Sequence, residues 1–353
     1  MNKLKLGVIF GGMSTEHDVS IVSATSIIES LNKEKYDIFP IYIDTDGKWY
    51  KYTKNVENIK ILDIGEKLEE LEIINNPINI LQNIDVVFPV LHGLYGEDGT
   101  IQGLFELIQV PYVGCKVLSS AVSMDKAYTK IIFEKAGLKQ VKYEYVKKIK
   151  DEETYRYIDK EFNEEILEID ELCNIICSKL KFPMFVKPSN SGSSVGIKKA
   201  ENMEKLKEAI QYAAKFDEKV LIEEGIIARE IECAVLGVDD VKASCVGEIL
   251  SEEEFYSYDA KYKNAESKVI IPAHISEDIS NQIRKYAIKA FKAVDGKGLA
   301  RVDFFVEKET NEVYINEINT MPGFTKISMY PKLWKASGIK YSELLDELIE
   351  KDL

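Results

Sequence analysis

The stretch Arg301-Val-Asp-Phe-Phe-Val-Glu-Lys-Glu-Thr-Asn-Glu-Val-Tyr-Ile-Asn-Glu-Ile-Asn319 constrains this chain more than any other. Two β-branched and aromatic runs flank a polar turn around Thr310 and predict a β-hairpin. Side chains alternate along a strand, so Arg301 and Asp303 share one face, as do Glu317 and Asn319. A turn centred on Thr310 sets Asp303 opposite Glu317 and Arg301 opposite Asn319. Two carboxylates and an amide oxygen then converge, with a guanidinium beside them. Hard divalent cations bind such oxygens, usually together with phosphates. On this stretch alone, an edge hairpin with solvated charges accounts for the pattern equally well.

The remaining chain supplies possible partners for that face. Lys5 to Phe10 reads as a buried strand ending in Gly11-Gly12, and a helix pattern runs through Val19, Val22, Ile27, Ile28 and Leu31. Strand, glycine turn and helix open a doubly wound α/β domain, whose ligands sit at strand carboxyl ends. The full dinucleotide fingerprint is missing. Tyr36 to Ile43 is a second strand, followed by a small hairpin with an Asp-Gly turn. Ile84 to Val90 is another strand, running into His92-Gly-Leu-Tyr-Gly-Glu-Asp-Gly99, which reads equally as a site or as a tight connection.

Ser119 to Ala136 predicts one helix, on which pattern alone leaves Lys126 a solvated surface lysine. Residues 151–170 are acidic with interspersed aromatics, and are expected as a part-helical surface excursion leading into a helix at about 170–180. Lys187 ends a short strand and opens the loop Pro-Ser-Asn-Ser-Gly-Ser-Ser-Val-Gly196. Its hydroxyls and backbone N–H groups suit a phosphate lid, although it is not a Walker A loop. Strands follow at Lys219 to Glu224, Ala228 to Gly237 and Cys245 to Ile249, then the polar, aromatic, aperiodic stretch Ser251 to Lys263, read as a lid. Asp278 to Val294 is an amphipathic helix, and helical segments close the chain after the hairpin.

A length of 353 residues accommodates two or three domains. The net charge of −14 argues against a nucleic-acid binder. Five scattered Cys form neither a disulfide framework nor a zinc spacing. The N-terminal apolar run is too short for a signal peptide, and no run reaches membrane-spanning length, so a cytoplasmic protein is expected.

Together the lysines, the Ser/Gly loop, the Glu223-Glu224 pair and the oxygen-bearing hairpin suit a nucleotide triphosphate and Mg²⁺ between two α+β layers. The sequence resembles the D-alanine–D-alanine ligases of the ATP-grasp superfamily along essentially its whole length. The resemblance rests on Phe10-Gly-Gly-Met-Ser-Thr-Glu-His-Asp-Val-Ser20, His92–Gly99, Met124-Asp-Lys126, Val186–Gly196, Tyr258-Asp-Ala-Lys-Tyr262, Arg301-Val-Asp303 and Asn316-Glu-Ile-Asn-Thr-Met-Pro-Gly-Phe-Thr325, in this order.

It implies an ATP-grasp fold of mixed α/β and α+β class, a Rossmann-like N-terminal domain followed by two α+β domains that sandwich ATP. The expected divisions are 1–118, 119–218 with the acidic insertion near 151–170, and 219–353 with a lid at 251–268. Lys126 and Lys187 would bind ATP phosphates, and Lys261 would reach the γ-phosphate. Glu223 and Glu224 would lie at the adenine, the latter through its backbone, and Glu230 at the ribose. Asp303, Glu317 and Asn319 would hold two Mg²⁺ (or Mn²⁺). Glu16 would hold the first D-alanine's ammonium and orient Ser193, in a triad with Tyr262. Arg301 and the Gly323 N–H would stabilise the oxyanion. Ser328 would take the second D-alanine's carboxylate, with Met329 and His92 at the substrates.

The resemblance further implies peptide-bond synthesis through an acyl phosphate for peptidoglycan precursors, D-alanine as the substrate, no membrane or nucleic-acid partner, and a homodimer. Ligation of D-alanine to D-lactate or D-serine is the rival on the same fold, although Lys261-Tyr262 looks like the type that joins two D-alanines. A non-catalytic ATP-binding regulator is the rival of another class; it should have lost metal ligands or the arginine. One departure stands out, since segment 151–170 is longer than compact members need.

Overall fold

The computed structural model describes residues 3–60, 62–66, 68–150, 152–250 and 268–351, so Lys261, Tyr262 and nearly all of the expected lid lie outside the described residues. The first layer holds β1 (Leu4–Gly11), α1 (His17–Ser30), β2 (Tyr36–Ile43), β3 (Trp49–Tyr52), β4 (Leu71–Ile73), α2 (Pro77–Leu81), β5 (Val86–Val90) and α3 (Thr100–Ile108). Its sheet order is β4-β3-β2-β1-β5, with β1 parallel to both β2 and β5. Continuous apolar runs at β1 and β5 reflect burial on both faces. Gly11 turns the chain from β1 toward α1 at φ +90, where a Cβ would meet the Ile43 carbonyl oxygen at 2.1 Å. Ser20 of α1 accepts the Gly11 N–H at 2.7 Å and donates to the Val90 carbonyl, tying the helix to both strand ends.

The second layer contains α4 (Val117–Met124), α5 (Lys126–Lys135), β6 (Tyr143–Lys148), β7 (Thr154–Ile158), β8 (Glu164–Glu168), α6 (Ile169–Lys179), β9 (Met184–Pro188), β10 (Lys198–Ala200), α7 (Met203–Ala213) and β11 (Lys219–Glu224). Its sheet, β10-β9-β11-β6-β7-β8, is antiparallel throughout. The third comprises β12 (Ala228–Gly237), β13 (Lys242–Leu250), β14 (Lys268–Ile270), α8 (Glu277–Ala293), β15 (Gly298–Glu307), β16 (Val313–Asn319), α9 (Met329–Ala336) and α10 (Tyr341–Lys351). Its antiparallel order is β14-β13-β12-β15-β16.

Two expectations need correction. The single helix expected over Ser119 to Ala136 is two, broken at Asp125, whose backbone is extended. Its side chain accepts the Tyr128 N–H at 3.2 Å, the N-cap bond that restarts the helix. The acidic excursion is a hairpin, β7–β8, that extends the second sheet. Alternation buries Tyr155 and Tyr157, and Asp159 closes the turn by accepting the N–H groups of Glu161 and Asn163. The expected helix after it begins at Ile169.

The largest apolar cluster joins the first layer to the chain's end. Phe88 of β5 meets Phe324 edge-on at 5.8 Å between ring centroids, and Phe324 also packs on Tyr330 of α9 and Tyr341 of α10. The loop between β16 and α9 is therefore plugged into the first layer. That plug carries Gly323 and Ser328 to the cleft.

Candidate active site

The hairpin register is the one that alternation requires. Arg301 pairs with Asn319 and Asp303 with Glu317. The register then slips, Phe304 pairing with Ile315, so Asn316 is the extra residue of a β-bulge. The Arg301 guanidinium grips Asp303 through two bonds of 2.7 Å and reaches Glu232 at 3.1 Å. Burial opposes its charge, but Asp303 and Glu232 outweigh burial and hold its pKa well above the usual value. Asn319 donates its amide to Asp303 at 3.1 Å.

Across the cleft, the lysines are not solvated. Lys126 donates to the Ser191 carbonyl at 2.7 Å and stands 3.8 Å from Glu317. Lys187 pairs with Glu223, and Lys130, one turn beyond Lys126, reaches the same carboxylate at 2.5 Å. Burial pushes the Glu223 carboxyl up, yet the two lysines overcome it and bring its pKa to about 2. Burial and neighbouring Lys187 lower Lys130, against Glu223. Lys187 is raised: burial works against its charge, and Glu223 and Glu317 more than compensate. Glu230 lies near enough to add to that effect. The Glu224 side chain turns away, accepting the Lys181 N–H at 2.8 Å.

The Ser/Gly loop meets the first layer at Glu16. Ser193 donates to the Glu16 carboxylate from a left-handed backbone, φ +50. The approach is close, for a Cβ on Gly192 would meet Glu16 Oε2 at 2.7 Å. His92 is buried, its Nδ1–H donating to the Met321 carbonyl at 2.9 Å and its Nε2 accepting from Ser23 at 3.1 Å. At Gly323 a Cβ would meet the Ser328 hydroxyl at 2.8 Å, so only glycine lets that hydroxyl lie against the loop backbone. Ser328 opens α9, and Met329 packs beneath it in the large cluster.

Four residues of this site escaped the sequence reading: Lys130, Glu232, Asn316 and Ser23. Helical spacing from Lys126 pointed to the first, and strand alternation from Glu230 to the second. The bulge at Asn316 left no trace in the pattern, and Ser23 lay among many serines.

The donor set fits a nucleotide and a hard cation. Buried Ser123 Oγ and Asn316 Oδ1 have no protein partner among the described residues, and both line a small cavity with Lys126, Lys130, Lys187 and Glu317. Orphaned buried polar atoms beside three cationic groups suit a polyanion carrying its own donors and acceptors. No group of three or more His, Cys, Asp or Glu side chains forms a closed metal cage among the described residues. Two carboxylates and an amide suit instead a metal whose remaining ligands are phosphate oxygens and water.

Two antiparallel sheets flanking lysines and carboxylates, behind a first layer whose central strands β2, β1 and β5 are parallel, define a ligase of the ATP-grasp fold. The N-terminal family of D-ala D-ala ligase matches residues 5–115, and the C-terminal family matches residues 132–350. The D-alanine--D-alanine ligase of Acetivibrio thermocellus is 52% identical, the match spanning 99% of this chain and 96% of that protein. D-alanine--D-alanine ligase B of Clostridium tetani is 51% identical, over 99% and 94%. Among solved structures, the VanG D-Ala:D-Ser ligase of Enterococcus faecalis superposes with a TM-score of 0.84 at 36% identity, covering 100% of both chains. The D-alanine-D-alanine ligase of Coxiella burnetii gives 0.80 at 35%, over 99% and 94%. The chain belongs to the D-alanine–D-alanine ligase family.

Proposed function

We propose that this ligase joins two D-alanines to D-alanyl-D-alanine at the expense of ATP, for peptidoglycan precursor synthesis in the cytoplasm. The observation that carries the reading is the contact between Ser193 and Glu16, which sets a carboxylate for an ammonium beside the phosphate-binding loop. Relatives about half identical over nearly the whole chain support the choice of D-alanine.

Lys126 and Lys187 hold ATP phosphates, with Lys261 of the lid at the γ-phosphate. Glu223, Glu224 and Glu230 line the adenosine side. Asp303, Glu317 and Asn319 would hold two Mg²⁺ or Mn²⁺, which would supply charge neutralisation on the phosphates. Glu16 holds the first D-alanine by its ammonium and orients Ser193, in a triad with Tyr262, and His92 lies at the substrates. The first D-alanine's carboxylate attacks the γ-phosphorus, and ADP leaves. The amine of the second D-alanine, held by Ser328 with Met329 beneath, attacks the acyl carbon. Arg301 and the Gly323 N–H receive the oxyanion, which collapses and expels phosphate. Positioning and preorganised charge carry the rate.

The test measures ADP release with D-alanine alone, then with D-lactate or D-serine added. Turnover on D-alanine alone is expected, abolished by a chelator and restored by Mg²⁺ or Mn²⁺. Turnover only when D-serine is added would favour the chemistry named for the Enterococcus structure. A homodimer is the proposed assembly. Leu107 of α3, 84% exposed, and Leu118 of α4, 62% exposed, offer apolar surface for it. Light scattering should give about twice the chain mass of 40.2 kDa, and a monomer would refute it. Among the described residues no helix is long and apolar enough to cross a membrane.

A further inference from the structure

The loop that brings Gly323 to the cleft is held by the first layer and, at the Phe324 carbonyl, by Tyr341 of α10 at 2.8 Å. Two of its backbone groups are taken by first-layer side chains. The Met321 carbonyl is bonded by His92 at 2.9 Å and the Phe324 N–H by Ser23 at 3.3 Å, and the Glu97 carboxyl lies near enough to the Met321 N–H to be lowered by it. Pro322, between them, has no N–H to give. The Gly323 N–H has no protein partner among the described residues. The holders also brace one another. Ser23 donates to His92 at 3.1 Å, and Glu97 accepts the Gly93 N–H at 3.0 Å. None of these bonds is needed to close a sheet or cap a helix. The Phe324 N–H bond fixes the peptide that follows Gly323, and the Met321 carbonyl bond fixes the one that precedes Pro322.

We propose that Ser23 and Glu97, acting with His92, are positioning residues that aim the Gly323 N–H at the reacting carbonyl. The first layer then does more than bind the first D-alanine: it orients a donor carried by the third. The inference rests on the ligase reading above, in which that N–H receives the oxyanion. Burial favours the neutral form of both titratable holders. Burial, then Glu16, raises the Glu97 carboxyl to about 8, against the Gly93 and Met321 N–H groups and Arg301. Burial lowers His92, against Glu16, so the imidazole is neutral at pH 7.

A misaimed donor impairs the second half-reaction and leaves nucleotide binding alone. Displacement of a reacting group by about 1 Å costs on the order of 10²-fold in rate. For Ser23→Ala and Glu97→Ala we expect kcat to fall about 10-fold or more and the KM for the acceptor D-alanine to rise, with the KM for ATP within about twofold. Wild type is run beside them, and each variant's melting temperature is recorded. Should Glu97→Ala not fold, Ser23→Ala, which deletes a single oxygen, carries the test. Unchanged kcat and acceptor KM would overturn the proposal. So would a lowered melting temperature accompanied by equal losses in every parameter, the mark of a merely structural role. A wild-type protein inert on D-alanine would fail the ligase reading itself, and the positioning role with it.

Discussion

Replacing Arg301 by alanine is expected to reduce kcat by at least about 10²–10³, the usual cost of deleting one oxyanion donor. The geometry argues for the upper end. The guanidinium is not only a donor but the shared counter-ion of Asp303 and Glu232. Its removal leaves two buried carboxylates facing each other across paired strands, since Glu232 and Asp303 are register partners. Breaking a buried pair by removing one partner costs roughly 3–5 kcal/mol, because an uncompensated charge stays behind. Asp303 is also a proposed metal ligand, so its orientation would be lost together with the donor. Arg301→Lys keeps the charge but not the planar fork that spans Asp303 with two parallel bonds. We therefore expect the lysine variant to recover stability more than rate. Steady-state ADP release and thermal melts on both variants check this, and near-normal turnover by Arg301→Ala would remove Arg301 from the mechanism.

The second large effect belongs to Glu223. Its carboxylate lies between Lys130 and Lys187, with Glu223 and Lys130 buried and the Lys187 side chain 12% exposed. In Glu223→Gln the two ammonium groups face each other with no counter-charge, and Lys130, already lowered by burial, is driven toward its neutral form. A stability loss of about 3–5 kcal/mol is expected, together with a raised KM for ATP because the phosphate-binding Lys187 loses its anchor. The sign with pH follows from the depressed carboxyl. The unfolded chain binds the proton near 4.5, the folded chain only near 2. Its contribution is therefore fully present above about pH 4.5 and is lost as pH falls toward 2. Acid denaturation of wild type should steepen in that window, and Glu223→Gln should flatten it. Equal acid midpoints for the two proteins would contradict the assignment.

Much of the site was legible because β-structure writes its geometry with a period of two. Arg301, Asp303, Glu317 and Asn319 could be set opposite one another from alternation and one turn, and the observed register agrees at both pairs. The order of the motifs around them carried the fold class. Local chemistry carried less than expected where short-range bonds competed with pattern. The helical period ran straight through Asp125, yet its side chain caps a new helix and also binds Ser189 and Lys219. Segment 151–170 looked like a solvated excursion by composition, while two tyrosines at strand spacing make it a hairpin with a buried face.

Sequence by itself determined which residues share a face, because side-chain direction along a strand or helix depends only on the few residues around it. Tertiary structure alone decided which faces meet. Nothing near Glu223 announces that two lysines, from α5 and from β9, will close on it. Nothing near Ser23 or Glu97 announces a loop some three hundred and two hundred and twenty residues further on, respectively. Those contacts arise from burying Phe324 against Phe88, an apolar contact with no directional code of its own. Once that burial places the loop, its backbone groups must find partners, and the first layer supplies them.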